Sequence, residues 1–268
     1  MKKLLYLFSA CLLVLTSCSN DDTNSSDSAS MILPKSVKYT SPSYPSDNSN
    51  ATISYDGNKI TSIKSEDGRT DYTYDGNEIV KTIDYDDAGI KDSEAIYTYT
   101  GGKLASYSHA ENFTSKYPTG EYKTRTVYTY NSDGTIKTLY YTTDVTTGVE
   151  TKTNNERLST ISNGNLVKVV EINSTPGSSV YTTVYEFDTK NSPTKNIAGF
   201  NLLVITDEGF GSINNIVKST SSSVDGSNSS NTNVYKTVYV YDANGYPTKE
   251  TSYEKDGTTV DGITEYTF

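Results

Sequence analysis

Tyr72-Thr73-Tyr74-Asp75-Gly76-Asn77-Glu78-Ile79 sets two aromatic residues one position apart, follows them with an Asp/Gly/Asn turn, and returns to an aliphatic residue. Side chains two positions apart in an extended chain share a face, so Tyr72 and Tyr74 lie on one side of a strand. Glycine beside Asp or Asn supplies the positive φ that a tight hairpin turn requires. The stretch reads as the junction of two antiparallel strands.

The pattern recurs. Ile53-Ser54-Tyr55 leads through a DGN turn to Ile60, Tyr97-Thr98-Tyr99 through TGG to Leu104, and Tyr128-Thr129-Tyr130 through NSDG to Ile136. A degenerate copy runs from Leu158 through Asn163-Gly164 to Leu166. Tyr185-Glu186-Phe187 and Tyr239-Val240-Tyr241 each lead to a Pro-Thr-Lys segment, at Pro193 and Pro247, and Tyr266-Thr267-Phe268 is half a copy. The steps from Tyr55 to Tyr74, Tyr99 and Tyr130 are 19, 25 and 31 residues. A strict solenoid keeps a fixed period, so the irregularity favours hairpins with tight turns on one side and variable loops on the other. Beyond residue 17 there are 16 Ile against 7 Leu, with abundant Thr and Tyr, a β bias. The sequence predicts an all-β chain: an antiparallel meander forming a curved sheet or an open, barrel-like roll, with residues 34–268 as one domain. Two stretches interrupt it. Residues 197–217 are strongly apolar and read as a plug, a short helix or a crossover over one end of the sheet. Residues 219–233 are Ser/Asn-rich and read as a long exposed loop.

The N-terminus carries an address. Lys2 and Lys3 precede an apolar run, Leu4 to Leu15, too short to cross a bilayer, and Leu15-Thr16-Ser17-Cys18 follows. This resembles the lipobox of bacterial lipoprotein precursors, which implies residues 1–17 as a signal peptide and Cys18 as the lipidated first residue of the mature chain. Residues 18–33 are then a lipidated cysteine and a Ser/Asn/Asp tether. The acidic pair Asp21-Asp22 resembles the export signal of Bacteroidota surface lipoproteins, and Asp27-Ser28-Ala29 resembles that phylum's O-glycosylation motif, making Ser28 a candidate acceptor. Attachment to the outer membrane, facing the exterior, is the expected location.

Charge and cysteine content narrow the chemistry. The chain has 23 basic and 33 acidic residues, and removing Lys2 and Lys3 makes the balance more acidic still. Such a surface repels phosphate backbones, so nucleic acid is not an expected partner. The only other cysteine, Cys11, lies in the discarded apolar run, which removes thiol nucleophiles and thiolate metal sites together. No cofactor or metal is expected.

The Tyr-x-Tyr-Asp-x-x-Gly pattern resembles the YD repeats of Rhs-type proteins. The lipobox, the DGN turns, YEFDTKNSPTKN, INNIVK and YVYDANGYPTKE together resemble a group of Rhs-like Bacteroidota surface lipoproteins, over about residues 35–268. The resemblance implies a curved antiparallel meander and a surface location, and brings no activity or catalytic residues with it. The Gly-Arg-Leu of true Rhs repeats is mostly Lys-Ile or Lys-Leu here.

His109 is the only histidine and sits in a polar SYSHAENF context, where it reads as an exposed polar residue; no Gly-x-Ser-x-Gly elbow accompanies it. Asp56, Asp75, Asp133 and Asp242 read as hairpin formers. The cluster Asp84, Asp86 and Asp87 reads as a solvated turn rather than a calcium loop, since the closing position is Ala95. Tyr72, Tyr74, Tyr97, Tyr99, Tyr128, Tyr130, Tyr239 and Tyr241 read as core or sheet ladder. Tyr117, Tyr122, Tyr140 and Tyr141 are the candidate ligand contacts; because neighbours in a strand face opposite ways, one of Tyr140 and Tyr141 is expected to face solvent. The function these features favour is a non-catalytic surface lipoprotein, a β platform or accessory subunit for an outer-membrane protein assembly. Capture of an extracellular glycan by exposed tyrosines is the alternative, and a carboxylate-pair glycosidase a third reading.

Overall fold

The computed structural model describes residues 31–206, 211–225 and 229–268, with the side chains of 225 and 229–231 left aside. Cys18, Ser28 and the rest of residues 1–30 lie outside the described residues. Sixteen strands follow in order: β1 (Ser36–Thr40), β2 (Ser49–Asp56), β3 (Lys59–Lys64), β4 (Gly68–Asp75), β5 (Glu78–Asp86), β6 (Lys91–Thr100), β7 (Lys103–Glu111) and β8 (Tyr122–Tyr130). They continue with β9 (Thr135–Thr143), β10 (Glu150–Ser162), β11 (Asn165–Asn173), β12 (Val180–Phe187), β13 (Ile216–Asp225), β14 (Ser229–Tyr241), β15 (Pro247–Tyr253) and β16 (Val260–Thr267). Every strand pairs antiparallel with its sequence neighbours, and β1 pairs with both β2 and β16.

The all-β meander expected from sequence is present, but the sheet is a closed barrel rather than an open one. The half-copy Tyr266-Thr267-Phe268 is the reason: Val37 lies opposite Tyr266 on one side and Ala51 on the other, so the first strand seals the last and leaves no edge.

The copies at Tyr55, Tyr74, Tyr99, Tyr130, Leu158 and Tyr241 each build a hairpin at the same end of the barrel, and the copy at Tyr185 leads from β12 into the segment that covers that end. In the DGN turns Gly57 and Gly76 have φ of +59° and +54°, at the first central position, where a mirror-image turn needs positive φ. The register then slips by one residue at the second aromatic, between Ser54 and Tyr55, Thr73 and Tyr74, and Thr98 and Tyr99. The aliphatic residue after each turn, Ile60, Ile79, Leu104, Ile136 or Leu166, is buried on the inner face.

Residues 188–206 and 211–215, between β12 and β13, cap that end. Ile197, Phe200, Leu203 and Ile205 pack among Ile53, Ile60, Ile79, Leu104 and Ile136 in one apolar cluster, and the ring of Phe200 stacks on Tyr72. The segment is bound to the hairpins around the rim. Ala198 N–H donates to Asn58 O at 2.9 Å, Ile213 N–H to Gly164 O at 3.3 Å and Asn191 N–H to Gly245 O at 3.0 Å. Gly199, at φ +80°, lies so close to the β4–β5 turn that a Cβ would sit 2.7 Å from Asn77 O. Of the alternatives read from sequence, a plug is the one found, with a 3-10 turn at Phe200–Leu203; Ile216 and Val217 already belong to β13.

Residues 219–233 are not a loop. Residues 219–225 and 229–233 are strand, in β13 and β14, with Ser219, Ser221 and Ser223 opposite Tyr185, Thr183 and Tyr181. The inner wall away from the plug is polar, so a strand there needs no apolar face.

The outer wall carries charge along the strands. Glu94 holds Lys81 and Lys91 at 2.7 and 2.8 Å, Glu156 holds Lys137 and Lys152 at 2.6 Å each, and Lys218 meets Glu186 at 2.6 Å. The chain enters and leaves at the plugged end, where Lys35 N–H donates to Thr267 O and Asn196 reaches Ile32 O.

Candidate ligand-binding site

At the end opposite the plug, the inner faces of β7 to β12 form a continuous polar and aromatic wall. The register fixes who faces inward: Tyr97 lies opposite Tyr107, Tyr107 opposite Thr126, and Thr126 opposite Tyr140. Further round, Thr138 lies opposite Arg157, Arg157 opposite Glu171, and Glu171 opposite Tyr181.

Three local features shape this wall. The ring of Tyr107 packs against Tyr97 at 5.2 Å between centroids and lies nearly parallel to the imidazole of His109 at 6.2 Å and 19°. Opposite Tyr140 the register of β10 breaks between Lys152 and Glu156, and this irregularity widens the wall beside the tyrosine. Arg157 then reaches across to Glu171, with Nη2 to Oε1 at 3.0 Å; the arginine side chain is 12% exposed and the glutamate 54%.

Two cavities lie side by side on this surface. One, of about 300 Å³, is lined by Tyr107, His109, Thr124, Thr126, Tyr140 and Thr142, with Arg125, Tyr141 and Thr153 also on its boundary. The other, of about 370 Å³, includes Tyr140, Asn155, Arg157, Glu171, Asn173 and Tyr181. Tyr140 belongs to both. Tyr181 is 53% exposed within the second.

Of the four tyrosines singled out from sequence, the structure therefore puts Tyr140 at the centre of the site. Its neighbour Tyr141 alternates to the other side of the strand, packs against Arg125, whose guanidinium lies 4.9 Å from the ring and also holds Glu150, and with that arginine borders the 300 Å³ cavity. Tyr122 stands exposed at the rim, opposite Glu111. Tyr117 lies in the β7–β8 loop with Lys116 Nζ 4.5 Å over its ring, outside both cavities.

His109 is not the exposed loop residue its neighbours suggest. It is a half-buried inward residue of β7, and alternation from Tyr107 through His109 to Glu111 is the signal that places it. Asp84, read with Asp86 and Asp87 as a turn, lies within β5 and accepts hydrogen bonds from Thr70 Oγ1 at 2.6 Å and from Ser93 Oγ. Asp86 instead accepts from Ile90 N–H at the β5–β6 turn, so the two carboxylates serve separate structures. Among the described residues no group of three or more acidic, His or Cys side chains converges as metal ligands.

A second inward carboxylate sits elsewhere on the wall. Glu250, opposite Tyr239, accepts a hydrogen bond from Tyr266 Oη at 3.0 Å, and burial raises its pKa despite that bond.

No protein-family model and no curated protein matches the sequence. Among solved structures, a porin-like protein from Bacteroides vulgatus is similar in fold, with a TM-score of 0.58 over 89% of this chain and 99% of that one, at 13% identity. A porin-like protein from Bacteroides uniformis gives a TM-score of 0.48 at 12% identity, over 87% of this chain and 97% of that one. The likeness to the first extends around the barrel and concerns architecture alone.

Proposed function

We propose that the chain is a non-catalytic, lipid-anchored barrel of the outer membrane that stands in water and binds a ligand at its open mouth. The observation that carries this reading is the plug between β12 and β13, which fills the hairpin end with Ile197, Phe200, Leu203 and Ile205 and favours a cup over a pore. The outer wall supports it. Burying one Lys at the middle of a bilayer costs a barrel about 2–4 kcal/mol, and this wall carries Lys81, Lys137, Lys152 and Lys218 in charge pairs. Membrane attachment then falls to acyl chains on Cys18, upstream of the plugged end, so that the mouth opens away from the anchor.

Two measurements test the reading. Full-length protein added to planar bilayers is expected to give no stepwise conductance, and Cys18→Ala is expected to move the folded protein to the soluble fraction. Stepwise conductance, or retention of the variant in carbonate-washed membranes, would overturn it.

A second reading, an accessory subunit of an outer-membrane assembly, is favoured by one feature. Val180, Val184, Val224, Val234 and Val238 are exposed together on the outer faces of β12, β13 and β14. Affinity purification from gently solubilised membranes is expected to recover a stoichiometric partner that Val184→Lys with Val234→Lys abolishes. Recovery of the chain alone would remove this reading.

A further inference from the structure

We infer that the mouth site takes an uncharged oligosaccharide, with Tyr140 as the wall between two adjoining sugar compartments. This rests on the reading of the barrel as a ligand-binding cup and names the class of ligand.

The lining decides between ligand chemistries. A pyranose presents an apolar C–H face and a rim of hydroxyls. It therefore needs aromatic faces set among short donors and acceptors. The wall supplies Tyr107, Tyr140 and Tyr181 among Thr124, Thr126, Thr142, Asn155 and Asn173. Tyr107 and Tyr140 stand two strands apart, about 10 Å along the wall, and Tyr140 and Tyr181 three strands apart, about 14 Å. A purely apolar ligand would strip water from the hydroxyls of Thr124 and Thr142 without replacing its hydrogen bonds, at about 1–3 kcal/mol for each group so buried.

Compartment size favours a chain of small units. Each cavity, at about 300 and 370 Å³, stands at the small end of ligand sites, and the two adjoin at one side chain. A single bulky ligand would fit neither, whereas a linear chain of units can occupy both by passing Tyr140.

Charge argues for neutrality. Arg157 is matched by Glu171, with which it shares a hydrogen bond. The further carboxylates on the inner wall, Asp84 and Glu111, join a chain of net charge −10. An anionic sugar would meet this field, and an uncharged one does not.

The test uses full-length protein in mild detergent and titration calorimetry, with gluco-, manno- and xylo-configured neutral hexasaccharides as probes and hexagalacturonate as the anionic probe. At least one neutral hexasaccharide is expected to bind, more tightly than its disaccharide. Tyr140→Ala is expected to weaken binding by about tenfold or more, while Tyr117→Ala, in the β7–β8 loop outside both cavities, stays within about twofold. Tyr181→Ala, at an exposed position that costs the fold little, is expected to weaken it as well, which keeps the test valid if Tyr140→Ala unfolds. Failure of every neutral probe, or binding unchanged by both Tyr140→Ala and Tyr181→Ala, would overturn the inference. Tighter, Tyr140-dependent binding of hexagalacturonate would overturn the neutral class while leaving the cup reading intact. Conductance through the barrel is the separate result that would remove the cup reading itself.

Discussion

The hydroxyl of Tyr99 donates to the carbonyl oxygen of Ile79 at 2.8 Å, and Tyr130 stands in the same relation to Leu104 at 3.1 Å. In both cases the second tyrosine of one copy satisfies the backbone of the aliphatic residue in the copy before it. Tyr74 works on the same principle with different partners, accepting from Ile60 N–H and donating to Ala198 O on the plug. The register slips beside these positions take backbone groups out of the ladder, and the tyrosine hydroxyls supply partners there.

Tyr99→Phe keeps the ring and removes only the hydroxyl. The expected cost is about 1 kcal/mol, with the Ile79 carbonyl left short of its donor. Urea denaturation followed by circular dichroism reads it as a lower midpoint at unchanged slope. A variant as stable as the parent would mean that water replaces the hydroxyl.

Gly199→Ala tests how closely the plug is seated. At φ +80° any side chain is strained, and the new Cβ would lie 2.7 Å from Asn77 O. The expected loss is about 2 kcal/mol or more, and hydrogen exchange should quicken at Ala198, whose N–H is held by Asn58 O. Phe200→Ala, emptying a site only 2% exposed, should cost about 3–5 kcal/mol.

Glu250→Gln should stabilise the protein at neutral pH. Burial raises the folded-state pKa of Glu250, so the folded chain binds a proton there more tightly than the unfolded chain does. Stability from this group is full below the unfolded carboxylate pKa and is lost as pH rises through the folded one. The Tm of Glu250→Gln should exceed the parent's at pH 7 and converge with it in acid, with Gln still able to accept from Tyr266. A lower Tm at pH 7 would show the charged form to be preferred.

Glu156→Gln should do the reverse, and weakly. Lys137, then Lys152, lower the pKa of Glu156, so its contribution is present above the unfolded pKa and lost as pH falls through the folded one. The group is at the surface, so the expected cost is about 0.5–1 kcal/mol at low ionic strength and shrinks toward zero in high salt. A thermal melt at two salt concentrations is sufficient to check it.

Much of the barrel is written in its turns. The DGN, TGG and NSDG copies, and the degenerate Asn163-Gly164, where Asn163 itself takes φ +49°, all form hairpins at one end. Closure was harder to read, because it depends on a pairing between strands at opposite ends of the chain that no local pattern encodes. The strands at 219–233 were misread for a different reason. Sequence patterns equate a strand with an apolar face, and an inner wall built of Ser, Thr and Asn has none. The same polarity hid most of the mouth: His109, Arg157 and Glu171 look like surface residues until register turns them inward. Tyr140 could be singled out because the pair Tyr140-Tyr141 must split between two faces; which of the two would face inward depended on the count of strands around the ring.

Ser36 and Thr267 share a hydrogen bond across 231 residues of sequence, and five register pairs between β1 and β16 make the seam. Every other strand pairing joins sequence neighbours, and all but β12–β13, which the plug separates, can form hairpin by hairpin. The seam spans by far the longest separation, and until it zips, β1 and β16 are bare edges able to recruit another chain. Ring closure is thus the natural slow step of folding, and the kinetic choice between a monomeric barrel and a swapped or aggregated one is made along five residues.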